Sequence, residues 1–304
     1  MPSRLSLYHA AAEQAADVVV RRYSTSFGLA SRLLPPARRA DIRNVYALVR
    51  LADEVVDGAA EEADPGGTRA AVLLDRLEAD VVDALDTGYS TNVLVHAFAR
   101  TARAAGFGTD LAGPFFASMR MDLHRTVHDE ASFAEYVYGS AEVVGLMCLR
   151  VFLLDEPAEQ RDVRYVRLAA GARALGAAFQ KVNFLRDLAD DSGRLGRRYF
   201  PGIDPEALTD HQKDVICDDI TADLRTAAAA VPELPAGCRR AVRVAYVLFA
   251  ELLARLRVTP AADVLTARAS VPPLVKARLV ASVLSPVGPR SRLSALRTRP
   301  EPRP

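Results

Sequence analysis

The chain has 304 residues, 50% hydrophobic and 25% charged, which is long enough to bury a sizeable core. Its 39 lysine and arginine residues nearly balance its 38 aspartate and glutamate residues, giving a formal net charge of +1. This balance excludes a globally basic nucleic-acid-binding chain and an acidic disordered one. The three cysteines show neither metal-ligand spacing nor the even count of a disulfide framework, which predicts a reducing, cytoplasmic location.

The two ends of the chain are expected to carry no membrane or export segment. Residues 1–14 are polar and alanine-rich without an apolar core, so no export signal is predicted. No segment has the roughly 18–20 uninterrupted apolar residues of a membrane span, which favours a soluble protein. The sequence after about residue 285 is rich in proline, arginine and serine. We therefore expect one helical domain over residues 1–284 and a disordered tail over residues 285–304.

Apolar residues recur at three- and four-residue spacing along most of the chain, which predicts helices rather than strands. Alanine and leucine, both strong helix formers, are abundant. The predicted helical segments are 11–23, 38–56, 70–85, 92–105, 133–154 and 165–188. Turn residues separate the segments: Pro35-Pro36 opens a helix, residues 64–67 form a surface loop, and Phe200-Pro201-Gly202 ends a segment. The predicted fold class is all-α in a single domain.

The first candidate site lies in the predicted helix 38–56, where polar residues share one face. Tyr46, Arg50, Asp53 and Asp57 fall within roughly 60° of one another at about 100° per residue. Asp53 and Asp57 are four residues apart, so both carboxylates can reach one ion, and they repel each other unless a cation lies between them. Their neighbours are mostly apolar, which places this acidic stripe in a cleft.

The second candidate site lies near the end of the predicted helix 165–188. Gln180, Asn183, Asp187 and Asp191 span roughly 80° of the helix surface. Carboxylate and amide oxygens are hard ligands that suit Mg²⁺, which shares its coordination shell with substrate phosphates. This second acidic stripe therefore offers the same kind of donors as the first.

An arginine accompanies each acidic stripe, Arg50 in the first and Arg186 in the second. A guanidinium group can bind diphosphate oxygens through two parallel hydrogen bonds. A single acidic pair on a helix is usually a solvated face. The doubled pattern instead suggests two carboxylate walls that face each other across a cavity, bridged by Mg²⁺ and diphosphate.

Five sequence motifs carry a family resemblance. Two DxxxD motifs stand at the acidic stripes, DEVVD at 53–57 and DLADD at 187–191. Three further segments accompany them, YSTSF at 23–27, YVYGSAEVVG at 136–145 and GRLGRRYFP at 193–201. Together these motifs resemble the phytoene/squalene synthase family, the head-to-head prenyl transferases, and the resemblance extends from about residue 23 to residue 279.

The resemblance implies an all-α, isoprenoid-synthase-type helical bundle with a central cavity. It further implies a Mg²⁺-dependent prenyltransferase, with Mn²⁺ as a substitute metal, that condenses two prenyl diphosphates through a cyclopropylcarbinyl diphosphate. The motifs favour two geranylgeranyl diphosphates as substrates and phytoene, a carotenoid precursor, as product. The enzymatic alternative is a squalene or dehydrosqualene synthase that uses farnesyl diphosphate. The alternative of another class is a non-catalytic assembly or binding homologue.

The resemblance also assigns roles to individual residues. The implied metal ligands are Asp53, Asp57, Asn183, Asp187 and Asp191, and the four aspartates together with Tyr46 would be catalytic. The implied diphosphate-binding residues are Ser24, Ser26, Arg50, Gln180 and Arg186. Tyr46 and Tyr246 would line the cavity, and Phe27 and Tyr136 would form its hydrophobic wall. The alternative roles are helix capping for the two serines and burial in the core for Tyr246.

Two positions depart from the family pattern. Thr25 stands where some relatives have a phosphate-contacting lysine, and Glu142 stands where many have glycine, which could reshape the prenyl channel. His124 and His128 are four residues apart but lack a third ligand, so we predict no metal site there. No nicotinamide or nucleic-acid motif is found. Release of a lipid product could involve contact with a membrane surface, and the oligomeric state is not predicted.

Overall fold

The structure is a computed structural model that describes residues 3–24, 26–64, 69–194, 196–266 and 268–285, and the side chains at positions 26, 61, 190 and 194 lie outside that description. The described residues form fifteen α-helices. In chain order these are α1 (Arg4–Tyr23), α2 (Ser26–Ser31), α3 (Pro36–Val56), α4 (Ala59–Ala63), α5 (Ala70–Thr87), α6 (Val93–Ala105), α7 (Thr109–His124), α8 (Glu130–Val137), α9 (Val143–Phe152), α10 (Ala158–Arg186), α11 (Leu188–Arg194), α12 (Asp210–Ala230), α13 (Ala236–Val258), α14 (Ala261–Val264) and α15 (Pro273–Leu284). A π-helical turn (Tyr138–Glu142) joins α8 to α9.

The all-α prediction is confirmed, because the described residues contain one isolated bridge between Val127 and Arg198 and no β-strand. All six predicted helical segments contain helix. Pro36 is the first residue of α3, as the proline pair predicts, whereas Asn92 precedes α6 and caps it through its side chain. Most of the predicted loop at 64–67 and nearly all of the predicted tail lie outside the described residues, so the domain boundary at residue 284 stays a prediction.

Two hydrophobic cores hold the bundle. The first joins α3, α5, α6, α7 and α9 and contains the fully buried Leu48, Leu74, Phe98, Phe115 and Met147. The second joins α8, α10, α12 and α13 and contains Val182, Leu185, Ile220 and Leu256. Full burial of one such side chain contributes roughly 1.5–3 kcal/mol. The helices of the two acidic stripes, α3 and α10, are therefore each fixed by a different core.

Glycines allow α10 to approach the π-helical turn and α9 closely. A Cβ atom at Gly145 would overlap the carbonyl oxygen of Ala172, and one at Gly176 would overlap the carbonyl oxygen of Ala141. Any larger residue would push the backbones apart, so glycine is required at both contacts. The glycine that ends the motif at 136–145 thus sets the distance between α9 and the helix of the second stripe.

One stretch of the described residues, Glu130–Asp155, is long and apolar enough to cross a membrane, with a mean hydropathy of 1.7. It runs from α8 through the π-helical turn and α9. In its most apolar window, 56% of the residues are buried inside the fold. A helix at the centre of a bundle is apolar on most sides because it packs against several neighbours. The burial therefore favours a core helix.

Candidate active site

Both acidic motifs lie at the C-terminal end of a helix. Asp57 is the C-cap of α3, and Asp187 is the C-cap of α10. Hydrogen bonds from Asp57 N–H to the Asp53 carbonyl at 2.8 Å and from Asp191 N–H to the Asp187 carbonyl at 2.9 Å keep each motif on a helical turn, and the second motif runs on into α11. The C-terminal end of a helix carries partial negative charge. The helix ends therefore add negative charge beside Asp57 and Asp187.

The ends of the two motifs meet at Arg197, which stands in the segment 193–201 and had no predicted role. Its Nη2 atom lies 2.5 Å from Oδ1 of Asp57. Its backbone N–H donates to the carbonyl of Asp191 at 2.9 Å. Its side chain is 6% exposed. One buried arginine therefore contacts the last residue of the first motif and the last residue of the second.

Asp53 has two carboxylates and one arginine near it. Arg50 pairs closely with Glu54 and more loosely with Asp53, where its Nη1 atom lies 3.9 Å from the carboxylate. Burial raises the pKa of Asp53, Arg50 opposes the rise, and Asp57 and Asp122 add to it, so that the pKa lies at about 7. The side chain nevertheless keeps 37% of its surface accessible. Dense protein around a water-accessible carboxylate is what the wall of a cleft provides.

Asp187 is paired on both oxygens. Arg268 donates from Nε to Oδ1 at 2.7 Å and from Nη2 to Oδ2 at 3.2 Å, and Nε of Arg186 donates to Oδ1 at 2.8 Å. Burial raises the pKa of Asp187, but the hydrogen bonds and charges of the two arginines outweigh it, so this pKa is lowered. Arg186 was expected beside the stripe. Arg268, in the loop before α15, is 81 residues away in sequence and was missed.

The N-terminal segment contributes an aromatic wall. The rings of Phe27 and Tyr46 stack with centroids 4.8 Å apart and planes 20° apart. Burial raises the pKa of Tyr46, and a hydrogen bond with Ser24 partly opposes that rise. Ser24 is the C-cap of α1. The side chain of Ser26 and all of Thr25 lie outside the described residues, so the diphosphate contact of Ser26 stays a prediction and the effect of Thr25 is not tested.

Tyr136 belongs to a buried polar cluster behind the first motif. Its hydroxyl donates to Oδ2 of Asp122 at 2.7 Å, and the Tyr199 hydroxyl donates to Oδ1 at 3.3 Å. Burial raises the pKa of Asp122 to about 7 and raises the pKa of both tyrosines. Tyr136 is 3% exposed, so its hydroxyl faces Asp122. Asp122 lies outside the five motifs that carry the family resemblance and had no predicted functional role.

The remaining predicted residues lie on α10, α11 and α13. Gln180 and Asn183 are partly buried on α10, and Asp191 is partly buried on α11. Tyr246 on α13 packs against the second core, and burial raises its pKa. Glu142 accepts a hydrogen bond from Nε of Arg173 at 2.6 Å. Its carboxylate is therefore held by an ion pair rather than by the acidic motifs.

The donor set fits Mg²⁺, although not as a cage made of protein alone. Within the described ranges, no three acidic, histidine or cysteine side chains form a group that could hold one ion. Mg²⁺ is usually held by one or two carboxylates together with water and substrate phosphates, which the two motifs can supply from either side. Burial, with smaller contributions from Asp57 and Asp122, disfavours the charged form of Asp53, and a divalent cation beside it would favour that form.

Comparisons of sequence show which proteins the chain resembles. It matches the squalene/phytoene synthase family model over residues 20–275. It is 35% identical over 185 residues to a 15-cis-phytoene synthase of Paracoccus sp. (strain N81106 / MBIC 01143), covering 59% of this chain and 56% of that protein. It is 35% identical over 214 residues to phytoene synthase 3, chloroplastic, of Zea mays, covering 68% and 46% respectively. The chain thus spans about half the length of these relatives.

Solved structures share the fold. A dehydrosqualene synthase in complex with ligand has a TM-score of 0.70 and 21% identity, covering 90% of this chain and 96% of that one. Squalene synthase HpnC from Alicyclobacillus acidocaldarius has a TM-score of 0.69 and 20% identity, covering 83% and 95%. The family model matches well over half of the chain. With both acidic motifs and the helical fold in place, the chain belongs to the squalene/phytoene synthase family.

Proposed function

We propose that this protein is a phytoene synthase, a Mg²⁺-dependent prenyltransferase that joins two geranylgeranyl diphosphates head to head. The observation that carries the proposal is the meeting of two complete DxxxD motifs at Arg197. Identity of 35% to a bacterial and a plant phytoene synthase supports this substrate class over others in the family. The cytoplasmic location and contact with a membrane surface remain predictions.

The first step is ionisation of an allylic diphosphate, which requires stabilisation of the departing group. Asp53, Asp57, Asn183, Asp187 and Asp191 would hold Mg²⁺, which when bound supplies positive charge to the diphosphate. The guanidinium groups of Arg50 and Arg186 bind diphosphate oxygens. In the structure Arg50 pairs with Glu54 and Arg186 with Asp187, so each must exchange a carboxylate for a phosphate.

The allylic cation then has to be kept from water. The stacked rings of Phe27 and Tyr46 provide an apolar surface beside the first motif. Their π faces stabilise positive charge, and their packing excludes water that would quench it. Tyr246, which packs against the second core, would extend the wall. Tyr136 is 3% exposed with its hydroxyl on Asp122, so its expected place in the wall stays a prediction.

The overall reaction joins two prenyl diphosphates and releases two diphosphates and two protons. One new carbon–carbon bond forms as the first diphosphate leaves, and ring closure with loss of a proton gives the cyclopropylcarbinyl diphosphate. Loss of the second diphosphate, rearrangement and loss of a second proton give the linear polyene. Released diphosphate is the base in this scheme.

A squalene or dehydrosqualene synthase is the second candidate. The likeness to a dehydrosqualene synthase structure over 90% of this chain favours it. A few side chains at the end of the channel decide the prenyl length that fits, and the acidic motifs are the same for both substrates. A non-catalytic homologue is disfavoured because both motifs are complete.

Purified protein incubated with Mg²⁺ and either farnesyl or geranylgeranyl diphosphate, with and without NADPH, tests the proposal. We expect diphosphate release and phytoene from geranylgeranyl diphosphate without NADPH, measured by mass spectrometry. Dehydrosqualene from farnesyl diphosphate without NADPH, or squalene from it with NADPH, and no product from geranylgeranyl diphosphate, would establish the second candidate instead. Absence of diphosphate release with both substrates would favour the non-catalytic homologue.

A further inference from the structure

The contacts of Arg197 use both arms of its guanidinium group. Nη2 contacts Asp57 at 2.5 Å and donates to the Asp122 carbonyl at 3.0 Å. Nη1 donates to the Tyr199 hydroxyl at 3.2 Å and lies 3.6 Å from Oδ1 of Asp122. The side chains of Arg197 and Asp122 are 6% and 2% exposed. Breaking a buried ion pair leaves an uncompensated charge and is costly in free energy. The guanidinium group of Arg197 is therefore held in place by its partners.

Arg197 also orients the carboxylate of Asp57. Oδ1 of Asp57 is buried and pairs with the guanidinium group without forming a hydrogen bond, whereas the side chain as a whole keeps 33% of its surface accessible. The accessible surface therefore belongs to the other atoms of the side chain, Oδ2 among them. A carboxylate held by one oxygen can present only the other to a ligand, which fixes the direction from which a metal ion would approach.

The backbone at Arg197 ties this contact to the second motif. Its N–H donates to the carbonyl of Asp191 at 2.9 Å. The next residue, Arg198, donates its N–H to the carbonyl of Thr126 at 2.7 Å, and its own carbonyl accepts from His128 N–H at 3.3 Å. The position of Arg197 is thus fixed by α3, by the end of α7 and by α11 at the same time.

We propose that Arg197 is a positioning residue that fixes the separation of the two acidic motifs and aims Oδ2 of Asp57 at the metal site. The proposal rests on the proposed function and adds to it a residue that acts through Asp57 and Asp191 rather than on substrate. Groups that hold a metal-binding carboxylate in place typically change metal affinity 10–100-fold when they are replaced.

A role in charge balance alone makes the opposite prediction. Arg197 carries a positive charge beside a site for a metal cation. If electrostatic repulsion were its main effect, moving that charge away from the site would strengthen metal binding. If Arg197 positions Asp57, a variant that keeps the charge but loses the forked geometry binds metal more weakly. Arg197→Lys separates the two possibilities because lysine has a single ammonium group in place of the fork.

The experiment measures Mn²⁺ binding by electron paramagnetic resonance in the presence of inorganic pyrophosphate. Wild type, Arg197→Lys and the control Arg198→Ala are compared; Arg198 is the exposed neighbour that pairs with Asp204. We expect 10–100-fold weaker binding in Arg197→Lys and no change in Arg198→Ala. Unchanged or tighter Mn²⁺ binding in Arg197→Lys, with a melting temperature near that of wild type, would overturn the proposal.

A second measurement, on the metal-free protein, tests directly whether Arg197 holds the two acidic motifs together; we call this contact of Arg197 with Asp57 and Asp191 the clamp. Hydrogen exchange along α11 is expected to be faster in Arg197→Lys than in Arg198→Ala, and equal exchange would count against the clamp. If Arg197→Lys does not fold, Arg197→Gln combined with Asp122→Asn removes one buried charge of each sign and carries the same expectations. Wild type that binds no Mn²⁺ with pyrophosphate would overturn the proposed function as well, which distinguishes that failure from failure of the clamp alone.

Discussion

The two acidic motifs share their spacing and each includes the C-cap of a helix, yet the pKa values of their first aspartates are shifted in opposite directions. Burial, with smaller contributions from Asp57 and Asp122 and against the effect of Arg50, raises the pKa of Asp53 to about 7. Asp187 lies between Arg186 and Arg268, which lower its pKa. The difference comes from partners elsewhere in the chain, so two copies of one motif need not have the same charge before substrate arrives.

The largest expected effect is the loss of turnover when a carboxylate of either motif is removed, because both motifs are proposed to bind metal. Asp53→Asn and Asp187→Asn should each lower turnover by at least about 10²–10³-fold, because each removes a carboxylate that would hold the Mg²⁺ whose positive charge stabilises the departing diphosphate. Diphosphate release from the prenyl substrate measures it. Asp75→Asn, an exposed carboxylate on α5 that pairs with Arg120, is the control. Near-wild-type turnover in either motif variant would contradict its role as a metal ligand.

Arg268 offers a way to make the second motif resemble the first. Arg268→Ala removes a cation from Asp187, so Mn²⁺ should bind several-fold more tightly in the absence of pyrophosphate. The matched control is Arg278→Ala, on the exposed face of α15. Electron paramagnetic resonance gives both affinities. Weaker binding in Arg268→Ala than in the control would show that Arg268 helps to build the metal site instead of competing with the ion.

A smaller difference between the motifs is expected in the thermal stability of the Asp187→Asn and Asp53→Asn variants. Asp187→Asn leaves two arginines without their carboxylate and should cost roughly 1–2 kcal/mol. Asp53→Asn relieves repulsion among carboxylates and should leave stability unchanged or raised. Melting curves of the metal-free variants at neutral pH measure the difference. An equal loss in both would mean that the arginines do little to hold Asp187.

The smallest effect concerns a histidine pair far from the motifs, where burial acts on a base rather than an acid. Nδ1 of His9 lies 2.8 Å from Nε2 of His96, and Tyr8, Tyr89 and Arg100 face the pair. Burial lowers the pKa of both histidines.

Because the folded state favours the neutral rings, the stability they contribute is present above the ordinary histidine pKa of about 6.5. It should be lost as pH falls below that value. Urea unfolding at pH 7.5 and pH 5.5 should show a smaller loss in His9→Gln than in wild type, and His211→Gln, on an exposed position, serves as control. The same loss of stability in all three proteins would show that the histidine pair does not cause the pH dependence.

Local sequence predicted the helices and the acidic residues well. Apolar spacing located α3 and α10, and the DxxxD spacing located Asp53 and Asp187, because both signals are contained in a few consecutive turns. Neither signal reports which distant side chain will neutralise a carboxylate. Arg197 is 75 residues from Asp122, and that contact exists only after α7 and the segment after α11 have packed together.

The helix ends at both motifs were predicted to within two residues. The predicted helices 38–56 and 165–188 end at or close to the last residues of α3 and α10, Val56 and Arg186, although each predicted stripe continued past its helix, to Asp57 and to Asp191. Gly58 gave some warning after the first motif, whereas no glycine or proline follows Asp187 closely. At the second motif, two arginines hold the carboxylate at the break, so tertiary contacts rather than a local stop signal accompany the end of α10.

The glycine contacts between α9 and α10 constrain how this scaffold can evolve. The carbonyl oxygens of Ala172 and Ala141 occupy the space that a Cβ atom at Gly145 or Gly176 would need, so neither glycine can be replaced without moving a helix. Substitutions that the fold tolerates are therefore confined to positions away from these two contacts, and the spacing of α10 from α9 and from the π-helical turn stays fixed.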